Sequence, residues 1–310
     1  MARPPKGPAA WTRRHLLGIR ELTRGDLDAV LSLARKLKKT PPSAPPLKGR
    51  RLLTFFVESS TRTKTSFGIA ARRLGAEVVD VSPVGSSLTK GESLNDTART
   101  IESMGVDFSV VRHPASGAPH HISKAVRSSV VNAGDGANEH PTQALLDLFT
   151  MEEHLGRSSG LRVALVGDIL HSRVARSNLW AHRLLGNDVT VVGPATLIPR
   201  GIEEMGATVT HDLDSVLGTH DVIMMLRLQL ERQQAGLFPS TAEYARLFGL
   251  TRERMSKLRK GAIVMHPGPM IRGWEISSEA ADGPASVIQD QVANGVFVRM
   301  AVLMLLGHTR

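Results

Sequence analysis

Three hydroxyl residues and an arginine occupy four consecutive positions, Ser60-Thr61-Arg62-Thr63, after an apolar run and ahead of a helical pattern. A helix N-terminus offers unsatisfied N–H groups and partial positive charge to an anion. The hydroxyls add short donors and Arg62 a charged fork. A Ser/Thr helix cap uses one such side chain, so the loop reads either as a cap or as a phosphate cradle.

Six further loops carry residues of the same character. Ser86-Ser87-Leu88-Thr89-Lys90 lies at another strand-to-helix junction but lacks G-x-x-x-x-G-K-[ST], and Lys90 alone also fits a solvated surface position. Arg112-His113-Pro114 ends a strand pattern, where an anion contact and an ordinary surface arginine are equally good readings. His140 opens a helix with Gln143 one turn on, so both can face one pocket. A helix N-terminus disfavours imidazolium, leaving a neutral donor to a carbonyl oxygen; a capping histidine is the alternative. Arg173 follows Gly167-Asp168, which is not G-x-G-x-x-G, and Arg227-x-Gln229 ends a further strand. His266-Pro267-Gly268-Pro269 is a proline-stiffened turn that presents backbone carbonyls. Together these loops supply cations, hydroxyls and a histidine, without paired carboxylates or a metal-ligand set. They describe a pocket for several anionic groups, with no cofactor and no metal expected. Hydride transfer, metal-assisted hydrolysis and nucleoside-triphosphate chemistry each lack their parts.

The elements that must position these loops are short. Strand-like runs at 52–57, 76–81, 107–111 and 130–134 alternate with helical patterns, and a long helix is predicted at 141–155. The alternation restarts at 162–168, 188–193, 207–211, 221–227 and 261–266, and an apolar helix is predicted at about 286–307. β-Branched runs alternating with helices predict parallel βαβ units. The expected fold class is α/β, two doubly wound parallel-sheet domains linked by helices. The expected boundaries are 1–140 plus 290–310 for one domain and 141–289 for the other, with 141–155 as the linking helix. Ligands of such sheets collect beyond the carboxyl ends of the strands, where all seven loops fall.

A length of 310 residues suits two domains, and 41% hydrophobic residues suffice for two cores. The net charge of +10 is concentrated: residues 1–51 hold 13 Lys/Arg against 3 Asp/Glu, and the rest holds 26 against 26. A neutral body with a basic N-terminal segment argues against a nucleic-acid surface. The chain has no cysteine, which excludes disulfide frameworks and thiolate sites. No signal-peptide core or membrane span is read from the sequence, and the expectation is a cytoplasmic location without membrane association.

In their order along the chain, Ser60-Thr61-Arg62-Thr63, Lys90-Gly91-Glu92, Arg112-His113-Pro114 and His140-Pro141-Thr142-Gln143 resemble the carbamoyltransferase family. The segments GDGANEHPTQALLDL (134–148), GDILHSRVARSN (167–178), MMLRLQLER (224–232) and HPGPM (266–270) are similar to its aspartate-using branch. The resemblance covers about Leu16 to Leu306. Ornithine-using members typically carry His-Cys-Leu-Pro where this chain has His266-Pro267-Gly268-Pro269, and a cationic acceptor would be repelled by Arg173 and Arg227.

The resemblance implies transfer of a carbamoyl group from carbamoyl phosphate to the amine of L-aspartate, an early step of pyrimidine biosynthesis. It assigns Ser60, Thr61, Arg62, Thr63 and Arg112 to the phosphate. Thr63, Arg112, His140 and Gln143 would engage the carbamoyl group. Arg173, Arg227 and Gln229 would grip the aspartate carboxylates, and Gly268 and Pro269 would offer backbone carbonyls. Ser86 and Lys90 would come from a neighbouring subunit, implying a homotrimer with shared sites, open to regulatory chains or another pathway enzyme. The rival expectations are an ornithine-type acceptor and an inactive scaffold.

Overall fold

The structure is a computed structural model describing residues 11–81, 92–230 and 240–308. The chain forms two compact units, residues 1–145 with 294–310 and residues 146–293.

In the first unit α1 (Arg24–Lys39) precedes β1 (Arg51–Phe56), α2 (Thr61–Arg73), β2 (Glu77–Val81), α3 (Leu94–Glu102), β3 (Phe108–His113), α4 (Ala118–Ser123) and β4 (Ser129–Asp135). Thr23 and Asp26 close a reciprocal capping box on α1, whose buried face is Leu27, Val30, Leu31, Ala34 and Leu37. The sheet order is β2-β1-β3-β4, and every pairing is parallel. β1 and β4 are buried almost throughout, as strands covered on both faces must be. β2, at the edge, is largely exposed. The segment at Leu16 adds a parallel bridge to Val131 on the outer side of β4, with Leu16 N donating to Val130 O at 2.9 Å.

Helix α5 (Pro141–Leu155) leads into the second unit, which contains β5 (Arg162–Val166), α6 (Arg173–Leu185), β6 (Asp188–Val192), β7 (Ala207–Thr210), α7 (Asp214–Leu217), β8 (Val222–Met225), α8 (Thr241–Phe248), α9 (Arg252–Met255), β9 (Ile263–Met265) and α10 (Ser278–Asp282). Its sheet order is β7-β6-β5-β8-β9, again parallel throughout. Its core joins Val166, Ile223, Met225, Val264, Tyr244 and Phe248.

The last helix, α11 (Ile288–His308), returns to the first unit. By length and composition it could cross a membrane. However, Val298, Met300, Ala301, Val302, Leu303 and Leu306 are buried. Buried Arg299 donates to Ser66 Oγ at 2.8 Å and stacks on the Phe67 ring at 5.1 Å. These contacts make α11 a core helix, as expected.

Each sheet has one place where the strand order reverses: between β1 and β3 in the first, and between β5 and β8 in the second. Brought side by side there are loops far apart in sequence. The expected strands all form, but β3 runs two residues further than predicted, so Arg112 lies inside it. A register shift against β4 between Val111 and His113 accompanies this extension.

One buried group makes the second unit sensitive to acid. His182 on α6 is fully buried, and its Nδ1 lies 2.9 Å from Asn187 Nδ2. Burial lowers its pKa from 6.5 to about 4. The unfolded chain therefore takes up this proton near pH 6.5 and the folded chain only near pH 4. Stability from this group is complete above about pH 6.5 and is lost as pH falls towards 4, by about 3 kcal/mol in all. In urea titrations at pH 7 and 4.5, a His182→Gln chain should lose about 2 kcal/mol less stability on acidification than the parent. Equal losses would disprove the assignment.

Candidate active site

At the reversal point of the first sheet, α2 starts straight after β1, making Thr61, Arg62 and Thr63 its first three residues. Ser60 occupies the N-cap position with extended backbone but makes no side-chain cap bond. Thr23, Ser93, Ser172, Ser240, Thr251 and Ser277 all cap their helices through the side chain. The cap reading of Ser60 is thus not realised, and the hydroxyl is not spent on α2's own backbone. Thr63 is buried, while Thr61 and Arg62 are exposed.

Arg112 comes to the same edge because β3 pairs with β1: Phe56 faces Arg112 in register, and Val57 N donates to Arg112 O at 2.8 Å. The Arg112 guanidinium, 14% exposed, donates to Glu58 Oε1 at 2.6 Å. Glu58 therefore partly neutralises this cation. Next along the sheet, β4 ends in a turn that delivers His140, 4% exposed, to the start of α5 with buried Gln143 beyond it.

That turn is held from within. Asn132 Nδ2 donates to Leu17 O and Asp135 Oδ1, each at 2.8 Å. Asp135 also accepts from Gly117 N at 2.6 Å, Asn138 Nδ2 at 3.0 Å and Glu139 N at 3.1 Å. Glu139 Oε2 accepts from Ile19 N at 2.7 Å. Buried polar groups with this many partners lock a backbone, so the residue before α5 is His140 in one fixed place. Beside it, burial pulls the pKa of His113 down, and His113 Nδ1 accepts from Ala115 N at 2.9 Å.

In the second unit the reversal point gathers the loops after β5 and β8. Gly167 has φ of +129°, and a Cβ there would sit 2.9 Å from Leu226 O and from Tyr244 Oη, so only glycine lets the two loops come this close. Asp168, fully buried, accepts from His171 N at 3.1 Å, lies 2.9 Å from His171 Nδ1 and accepts from Gln229 N at 3.2 Å. This one carboxyl joins the β5 loop to the backbone of Gln229. Ser172 caps α6 through Ala175 N, which puts Arg173, 5% exposed, at the first helical position. Arg227 is partly exposed after β8. After neighbouring β9, Gly268 N donates to His266 Nδ1 at 2.8 Å, and Gly268–Pro269 is cis.

The strand order therefore sorts the predicted residues into two sets. Ser60, Thr61, Arg62, Thr63, His140 and Gln143 lie past the ends of β1 and β4, and Arg112 is the penultimate residue of β3, which lies between those two strands. Arg173, Arg227, Gln229, Gly268 and Pro269 lie past the ends of adjacent β5, β8 and β9. Ser86 and Lys90 fall outside the described residues. No group of three or more His, Asp or Glu that could hold a metal ion is present among the described residues.

Residues 14–153 match the aspartate/ornithine carbamoyltransferase, carbamoyl-P binding domain, and residues 159–306 match the Asp/Orn binding domain of the same family. The chain belongs to the aspartate/ornithine carbamoyltransferase family. An aspartate carbamoyltransferase catalytic subunit of Acidothermus cellulolyticus is 55% identical over 94% of this chain and 92% of the relative. The subunit of the same name from Frankia casuarinae is 54% identical over 94% and 93%. Among solved structures, aspartate transcarbamoylase from Trypanosoma cruzi in complex with N-(phosphonacetyl)-L-aspartic acid superposes with a TM-score of 0.86 at 34% identity, covering 96% of this chain and 97% of that one. Ornithine carbamoyltransferase from Thermus thermophilus reaches a TM-score of 0.85 at 28% identity, covering 95% and 99%. The backbone of this chain is thus similar to that of a solved member of each branch of the carbamoyltransferase family.

Sequence reasoning did not single out Glu58, Asn132, Asp168 or His171. A carboxylate within a cation-rich loop was the available signal for Glu58 and Asp168. No motif marks Asn132, whose side-chain partners lie 115 residues before it and 2, 3 and 7 residues after it.

Proposed function

We propose that the chain transfers the carbamoyl group of carbamoyl phosphate to the amine of L-aspartate, giving N-carbamoyl-L-aspartate, a pyrimidine precursor, and phosphate. The observation that carries this reading is the sorting of anion-binding residues into two sets by strand order. One set combines a helix N-terminus, hydroxyls, Arg62 and Arg112, as a phosphate requires. The other holds Arg173, Arg227 and Gln229, suited to a dicarboxylate and hostile to a cationic side chain.

In the reaction the neutral amine of aspartate attacks the carbonyl carbon, and a C–N bond forms. The carbonyl oxygen takes up negative charge, stabilised by donors from Thr63, Arg112 and His140. The C–O bond to phosphate then breaks, and phosphate carries off the amine proton. Alignment of two bound anions against their repulsion supplies several kcal/mol of the barrier lowering. In the test, purified chain is assayed with aspartate and ornithine side by side. Turnover with aspartate only is expected, with tight calorimetric binding of a phosphonate–dicarboxylate mimic. Turnover with ornithine, or none with either, would reject the reading.

Ser86 and Lys90 are assigned to a neighbouring site in a homotrimer, on the family resemblance. Arg62→Ala and Lys90→Ala chains, each inactive alone, should then regain partial activity when mixed and reassembled, since some sites receive two intact halves. Reassembled mixtures without any activity would exclude shared sites.

A further inference from the structure

The turn bearing Gly268 and Pro269 follows a strand of only three residues, and its support comes from elsewhere in the second unit. His266 donates its backbone N–H to Gln291 Oε1 at 2.9 Å, and His266 Nδ1 accepts from Gly268 N at 2.8 Å. Gln291, in the first turn of α11, donates Nε2 to Asp147 Oδ1 at 2.8 Å. Asp147, on α5, accepts at its other oxygen from Asn178 Nδ2 at 2.9 Å. Asn178 lies on α6, the helix that begins with Arg173. Asp147 and Asn178 are fully buried, and Gln291 and His266 nearly so.

A buried carboxyl group is costly unless its oxygens are hydrogen-bonded. An apolar residue at position 147 would avoid that cost, yet here the group spans two elements assigned to the same ligand. We propose that Asp147 is a positioning residue for the acceptor half of the reaction. Through Asn178 it holds the helix of Arg173, and through Gln291 and His266 it holds the Gly268–Pro269 turn, so both keep one spacing. The proposal rests on the aspartate-binding reading of this half.

Asp147→Asn keeps the shape but points an amide donor at Gln291 Nε2 or Asn178 Nδ2. The KM for aspartate should rise about tenfold or more, while phosphate binding by calorimetry stays within about twofold. Adding Gln291→Glu restores the bonds named above. The amide introduced at position 147 then accepts from Asn178 and donates to the carboxylate introduced at position 291, which still accepts from His266 N. That double variant should bring the KM back to within about threefold of the parent. If Asp147→Asn fails to fold, Gln291→Met is read in the same way. An unchanged aspartate KM, equal loss of both ligands, or no recovery in a folded double variant would overturn the proposal. Absence of aspartate turnover in the parent chain would instead sink the functional reading.

Discussion

Replacing Arg112 with alanine is expected to lower kcat/KM by about 10³-fold or more and to weaken phosphate binding. Arg112 is assigned to both the phosphate and the developing oxyanion, and loss of one preorganised donor to such an oxygen costs about 10²–10³ in kcat. The structure adds a second cost. Glu58 lies 2.6 Å from the guanidinium and is 25% exposed, so the variant removes a positive charge while the negative charge beside it stays near the loop assigned to the phosphate. Arg112→Lys keeps the charge but loses the planar fork, and should retain more phosphate affinity than kcat. Steady-state kinetics together with phosphate calorimetry separate the two. An Arg112→Ala chain with near-parental kcat and phosphate affinity would remove Arg112 from the site.

Replacing Arg173 with alanine should act on the other substrate. The KM for aspartate is expected to rise about 10²–10³-fold while phosphate affinity holds. A buried guanidinium paired with a carboxylate loses roughly 2–5 kcal/mol on truncation, and each 1.4 kcal/mol is tenfold. Arg173 is 5% exposed at the first position of α6, with its backbone set by the Ser172 cap, so the side chain starts from a fixed point. Arg173→Lys should fall between the parent and the alanine variant, because a single ammonium cannot make the bidentate contact. A parallel loss of phosphate affinity would show that the substitution disturbs the fold rather than the acceptor site.

The contrast between these two predictions comes from the strand order, and this marks how far the sequence could be read. Each buried parallel strand announces itself as a continuous apolar run, and each loop of polar residues follows such a run. The strands and the doubly wound α/β class were therefore legible from local pattern. So was the position of Ser60-Thr61-Arg62-Thr63 at a helix start. That Ser60 does not cap its helix was not legible, because six other Ser and Thr residues in the same setting do. The extension of β3 through Arg112 was missed for a related reason: a register shift depends on the partner strand.

The residue types in the loops, chiefly cations, hydroxyls, amides and histidines, were determined by the sequence alone, and with them the chemistry of anion recognition. Tertiary structure decided which loops become neighbours. Only the orders β2-β1-β3-β4 and β7-β6-β5-β8-β9 set Arg112 beside α2, and Gln229 beside Asp168. It also chose the supporting bonds, such as Gln291 to Asp147 across 144 positions of chain. Periodicity reports how each segment meets a core a few residues at a time. A hydrogen bond between distant segments depends on the packing of everything between them, and leaves no mark on either segment alone.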